Sequence, residues 1–164
     1  MANHSVMVHH NLPHPHASCG SHQALTPNPL HPHVLAPDCL TCWLTPFGVS
    51  HMNSLSLFFP PQIIAMSCIL LSKSIAPMML SNYSSGLLSF SRFCDNYRIP
   101  KPLRIPASEA LLTLFITCCG TGSVSASTMC HWLLGFELWH EINCTPWCGC
   151  LTLKCAVKVT LSCD

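Results

Sequence analysis

The chain has 164 residues, enough for one ordinary domain, but only 8% of them are Asp, Glu, Lys or Arg, where a soluble domain typically carries about 25%. It contains 13 Cys, 11 His and 14 Pro. The formal net charge of +1 argues against a nucleic-acid-binding surface, and an odd number of cysteines excludes a monomer in which every cysteine forms an internal disulfide.

The first segment, residues 1–50, is rich in His and Pro, and the tripeptide His-Pro-His occurs at His14–His16 and at His31–His33. Each proline removes a backbone donor and biases its predecessor toward an extended conformation, so we expect an irregular segment. The first twenty residues contain no Lys or Arg and no long apolar run. No standard secretory signal is therefore predicted, and a membrane or cytoplasmic location is expected.

Residues 51–91 form an apolar segment that is densest over residues 55–71, with the sequence LSLFFPPQIIAMSCILL. This stretch of 17 residues is at the lower limit of what can span a bilayer. Pro60 and Pro61 interrupt it, because a helix that precedes them cannot continue through them. Three alternatives stay open: a transmembrane span, a short buried or interfacial helix near 63–71, and a loosely collapsed apolar segment.

The third segment, residues 92–107, is predicted to be an exposed, basic, Pro-rich linker. Its cationic residues are Arg92, Arg98, Lys101 and Arg104. So few charges form a weak electrostatic footprint for nucleic acid, and no nucleic-acid partner is expected.

Residues 108–164 form a Cys-rich segment in which two short helices are predicted, over 108–119 and 128–142. In the first helix Ser108 can cap the free N–H groups, and Gly120 can take the stop position. In the second, Met129, Trp132, Leu133 and Phe136 follow helical spacing. Gly135 lies inside this second helix, at a cost of about 1 kcal/mol relative to Ala.

Residues 151–163 alternate apolar and polar side chains with few exceptions, which predicts a half-buried β-strand. No other segment alternates in this way, so the strand has no evident partner. Together these patterns predict a mostly irregular or disordered chain with a few short α-helices and one C-terminal β-strand, and no defined globular fold.

The many Cys and His residues raise the hypothesis of a zinc site, which needs four converging ligands. Weak candidates are Cys39, Cys42 and His51 in one group and His140, Cys144 and Cys148 in another. The first group holds a single C-x₂-C pair, and Pro146 interrupts the helical spacing of the second. No dedicated metal site is therefore predicted. The scattered acidic residues suggest no acid–base pair, so neither catalytic residues, nor a cofactor, nor enzyme activity is expected.

Three hypotheses for function follow, and the partner is unknown in each. The first is a chain without an assignable biochemical function, the product of a recently arisen or normally non-coding reading frame, because pyrimidine-rich codons explain much of the composition and the local signals conflict. The second is a small membrane-associated protein anchored through residues 55–71. The third is a Cys/His-rich metal-binding interaction module.

Overall fold

The computed structural model describes residues 25–120, 124–149 and 153, and the protein it shows is helical. The α-helices are α1 (Cys39–Cys42), α2 (Pro46–Leu55), α3 (Pro61–Lys73), α4 (Pro77–Asn96), α5 (Glu109–Gly120) and α6 (Ala126–Ile142), with 3₁₀ turns at Ala36–Asp38 and Lys101–Leu103. The helices predicted near 63–71, 108–119 and 128–142 correspond to α3, α5 and α6.

Prolines begin three of the helices. Pro46, Pro61 and Pro77 occupy the first turns of α2, α3 and α4. Proline is favoured there because its fixed φ suits a helix and its missing N–H would have had no intrahelical partner. Proline, whose frequency predicted an irregular segment, therefore marks where helices start.

Hydroxyl side chains cap the N-termini of α2, α5 and α6. The Thr45 hydroxyl accepts a hydrogen bond from the Gly48 N–H at 2.9 Å, and the Ser125 hydroxyl accepts one from the Thr128 N–H at 3.2 Å. The predicted cap at Ser108 is confirmed, since its hydroxyl accepts from the Leu111 N–H at 3.2 Å. Each cap satisfies a backbone donor that the first helical turn leaves unpaired.

Helices α4 and α6 make the main interface of the protein, and two glycines lie where they meet. A Cβ added to Gly86 on α4 would lie 2.8 Å from the Trp132 Cβ on α6. A Cβ added to Gly135 on α6 would lie 2.7 Å from the Cα of Tyr83 on α4. The two helices therefore approach at distances that only glycine permits, which is the structural reason for a glycine inside α6.

Aromatic rings from α4, α5 and α6 fill the core beside this crossing. Phe90 contacts Phe136 edge-to-face with ring centroids 4.9 Å apart, and Phe115 at 5.4 Å. Phe115 also stacks with Trp132 at 5.7 Å. Such offset and perpendicular pairs add about 0.5–1.5 kcal/mol each beyond the burial of their area.

Polar side chains join the N-terminal turns to this core. On α4, the buried Ser84 hydroxyl accepts from the Leu40 N–H at 3.2 Å and donates to the Pro37 carbonyl at 3.1 Å. At the end of α6, the Asn143 side-chain oxygen accepts from the Thr45 N–H at 2.9 Å, and its amide donates to the Trp139 carbonyl at 3.0 Å. Residues that are far apart in sequence are thus fixed by specific bonds.

The prediction of a mostly irregular chain without a globular fold is wrong, because the described residues form packed helices around one buried core. The predicted C-terminal strand is wrong as well. Leu153, which the structure describes within 151–163, is helical and buried, and the rest of that segment lies outside the described residues. Side-chain alternation alone did not settle the conformation, because a strand also needs a partner for its backbone.

The segment predicted as an exposed linker, 92–107, is built into the protein. Its first residues complete α4, and Arg104 and Ala107 are buried. Arg104 can be buried because the Asp95 carboxylate lies 2.7 Å from its guanidinium and its Nε donates to the Ile99 carbonyl at 2.9 Å. Charge in this segment therefore stabilises local structure.

Candidate functional site

Two of the six weak metal-ligand candidates are engaged in the core. Cys39 is buried, and burial raises the pKa of its thiol to about 11, which keeps it protonated at neutral pH. His140 uses both ring nitrogens, since Nδ1 donates to the Phe136 carbonyl at 2.8 Å and Nε2 accepts from the Ala107 N–H at 3.2 Å. A metal ion would have to break these contacts to bind here.

The other four candidates, Cys42, His51, Cys144 and Cys148, are exposed. His51 and Cys144 line one cavity of about 200 Å³ together with Cys68 of α3. Within the described ranges no three His, Cys, Asp or Glu side chains come close enough together to hold a metal ion. The structure therefore does not bring His140, Cys144 and Cys148 together as a ligand set.

The most distinctive surface is a run of exposed apolar side chains on residues 57–73, which we call the apolar arm. It comprises the turn after α2 and the whole of α3. The side chains of Leu57 and Phe58 at its tip are 78% and 80% exposed, and Leu70 is 64% exposed. Its other large exposed apolar residues are Phe59, Ile63, Met66, Ile69 and Leu71.

Helix α3 is almost entirely exposed, and only Ile64 and Ser72 are half-buried. Ser67, Cys68, Leu71 and Ser72 line the cavity that α3 forms with α2 and the end of α6. At 100° per residue, Met66, Ile69 and Leu70 project from the other side of the helix. The apolar stripe of a helix on a water-soluble domain normally faces the core, whereas α3 leaves an apolar face exposed.

The turn of the apolar arm satisfies its own backbone donors. The N–H groups of Leu57, Phe58 and Phe59 donate to carbonyls of α2 at 3.3, 3.0 and 2.9 Å, and Pro60 and Pro61 have no N–H. A chain reversal normally exposes donors that need water. Here the tip of the arm combines bonded donors with apolar side chains.

The serines of α3 are also satisfied within the helix. The hydroxyls of Ser67 and Ser72 donate to the carbonyls of Ile64 and Ile69, each at 2.9 Å. No Asp, Glu, Lys or Arg lies between Cys39 and Ser72, and Lys73 ends the helix. Apart from Gln62 and Lys73, the arm therefore has no exposed polar side chain that lacks a hydrogen bond within its own helix.

Among the described helices none is by itself long and apolar enough to cross a membrane. Helices α3 and α4 pass that test together, by length and composition only, but their axes bend by 99° at the break between them. Within α4, Leu87 and Phe90 are buried in the core.

Comparison of the chain with protein-family models, with curated proteins and with solved structures found no match. No relative therefore assigns a role to any of its residues.

The sequence predicted the apolar stretch at 55–71 but not which of its side chains are exposed. Pro60-Pro61 predicts an interruption of the apolar stretch, and the structure shows a turn there followed by a new helix, α3. The proline pair also fixes where α3 begins, because proline is favoured at the first helical position.

Proposed function

We propose that this protein binds the surface of lipid membranes by inserting the apolar arm, residues 57–73, into the interfacial region. The observation that carries the proposal is the exposed apolar face of α3, on which Met66, Ile69 and Leu70 are each more than half exposed. Burial of one such side chain stabilises the bound state by about 1.5–3 kcal/mol when it is complete. Several acting together favour the membrane over water.

Insertion at the surface fits the length of α3 better than a full span does. Its 13 residues measure about 20 Å, against about 30 Å for the hydrocarbon core of a bilayer. Leu57, Phe58 and Phe59 at the tip would enter the acyl chains. Lys73, at the other end of α3, would reach the phosphate groups.

A lipid surface also accounts for the hydrogen bonds of the arm. In the hydrocarbon region a polar group must be satisfied internally, since no water is available to bond it. The backbone donors of Leu57–Phe59, at the tip of the arm, meet this requirement. A protein partner would favour free donors and acceptors at the contact, because typical interfaces carry several hydrogen bonds.

The test is flotation of the purified full chain with neutral phosphatidylcholine vesicles. We expect binding that depends little on salt, because Lys73 is the only cation of the arm. Leu70→Asp should weaken binding at least tenfold, since it removes an apolar contact and places a charge in the interface. Leu103→Asp is the matched control, because Leu103 is 62% exposed but lies outside the arm.

Equal binding by the two variants, or no flotation of the parent protein, would contradict the proposal. Sedimentation velocity without lipid gives a further discriminating measurement. If the parent protein self-associates and Leu70→Asp makes it monomeric without any vesicle binding, the arm is an interface between two copies. If neither activity is found, the hypothesis of a chain without an evolved function gains support.

A further inference from the structure

A second cavity lies at the other end of α2 from the apolar arm. Its volume is about 440 Å³, within the range of small-molecule sites. The N-terminal residues of α2, Pro46 and Phe47, line it together with the segment that contains Lys101 and Arg104. The proposed membrane contact uses none of these residues.

Positive charge faces this cavity. Lys101 and Arg104 both line it, and none of its described lining residues is acidic. Their counter-ion is Asp95, which is not a lining residue and lies 3.5 Å from the Lys101 ammonium and 2.7 Å from the Arg104 guanidinium. One carboxylate balances only one of the two cations, so the cavity keeps a net positive charge.

Asp95 is held ionised in this position. Its Oδ2 accepts the Thr26 N–H at 2.8 Å. Burial alone would raise the pKa of Asp95, but the hydrogen bond from Thr26 and the nearby Arg104 and Lys101 outweigh it and lower the pKa. The carboxylate thus holds in place two cations that both line the cavity.

The rest of the wall is mostly apolar, with Asn28 and Thr45 as its uncharged polar residues besides His31. Pro46, Pro102 and Pro106 line the cavity, and proline rings restrict the backbone that carries them. The His31 ring lines it as well and stacks on Trp43 with centroids 4.8 Å apart. Burial lowers the pKa of His31 to about 4, so the ring is a neutral aromatic surface at physiological pH. A preformed pocket of this kind loses little entropy when it binds a ligand.

We propose that this cavity binds a small organic anion, a carboxylate attached to an apolar or aromatic body. The carboxylate would pair with Lys101 and Arg104, and the body would contact the prolines and the His31 ring. The N-terminus of α2 adds a favourable dipole for negative charge. The charge of the cavity excludes organic cations of the same shape.

The test uses phenylacetate as the probe and phenylacetamide, its neutral analogue, as the ligand control, in calorimetric titrations of the full chain. We expect phenylacetate to bind with a Kd of about 1 mM or tighter, and phenylacetamide to bind at least about tenfold more weakly. Lys101→Met should weaken phenylacetate binding about tenfold. Lys73→Met is the matched control, since it removes the same charge from the exposed end of α3 and should change nothing.

A second variant keeps the charges and fills the space. Leu30 lines the cavity, and Leu30→Trp should abolish binding of phenylacetate while Leu70→Asp in the arm leaves it unchanged. Circular dichroism of each variant establishes that the helices persist. The proposal would be overturned if phenylacetate did not bind, or if phenylacetamide bound with equal affinity. It would also be overturned if the two lysine variants had equal effects, or if Leu30→Trp left phenylacetate binding unchanged.

Discussion

The close approach of α4 and α6 makes a sharp prediction about Gly135→Ala. In an exposed helix this substitution stabilises by about 1 kcal/mol, because alanine has the higher helix propensity. In this protein the new Cβ would lie 2.7 Å from the Tyr83 Cα and 2.8 Å from the Tyr83 carbonyl oxygen. Both are backbone atoms, so the contact is relieved only if the two helices move apart.

The expected result is a net loss of stability. Overpacking a core contact costs about 1–3 kcal/mol, and a clash with backbone belongs at the upper end of that range. After subtraction of the propensity gain, Gly135→Ala should lower the free energy of unfolding by about 2 kcal/mol. For a chain of this size, that corresponds to a melting temperature lower by about 4–8 °C.

Urea denaturation followed by circular dichroism measures this difference. The control is Leu134→Ala, at the adjacent position on the exposed side of α6, which should change stability by no more than about 0.5 kcal/mol. Combining Gly135→Ala with Gly86→Ala should cost less than the two single losses together, because one separation of the helices relieves both clashes. A rise in stability for Gly135→Ala would refute the close helix approach.

Two further predictions concern buried titratable groups. Acid should destabilise the protein: burial lowers the pKa of His31 to about 4 and also lowers that of His140, so the unfolded chain binds more protons. The contribution of these groups to the free energy of unfolding should be complete above about pH 6.5 and should fall toward pH 4. For His31 the loss should be about 1–2 kcal/mol after solvent screening. A urea midpoint that stays constant between about pH 7 and pH 5 would contradict this prediction. Thiol alkylation should also be selective, because burial raises the pKa of Cys39 to about 11 and that of Cys94 to about 12, whereas Cys68 is exposed. Mass spectrometry after brief iodoacetamide treatment should find Cys68 modified before Cys39 and Cys94. Equal labelling of these three cysteines would mean that the core opens readily.

Local signals in the sequence located helices but not their packing. The cap at Ser108 and the spacing of Met129, Trp132 and Phe136 were sufficient to place α5 and α6. The same signals said nothing about what lies opposite Gly135, because a close approach depends on a residue more than fifty positions away. The sequence therefore predicts the loss of helix propensity at Gly135 but not the close contact with α4 that requires a glycine there.

Charge and proline content were misleading for a physical reason. Scarce charge predicted a chain without a stable fold, yet the core depends on apolar and aromatic contacts that need no charge. The ion pairs of Asp95 with Lys101 and Arg104 were not visible in the sequence, because they depend on how the chain turns after α4. The cavity lined by Lys101 and Arg104 could not be predicted for the same reason, since its lining residues lie far apart in sequence.

Because α3 lies outside the main packing of the protein, solubility and thermal stability, which usually change together, can change separately. The buried core consists of residues from the N-terminal turns, α4, α5 and α6, and α3 contributes no buried residue to it. Substitutions in the apolar arm should therefore alter how much protein stays in solution and leave its melting temperature nearly unchanged. Substitutions at the α4–α6 crossing should do the opposite, so solubility and stability can be engineered in this chain independently.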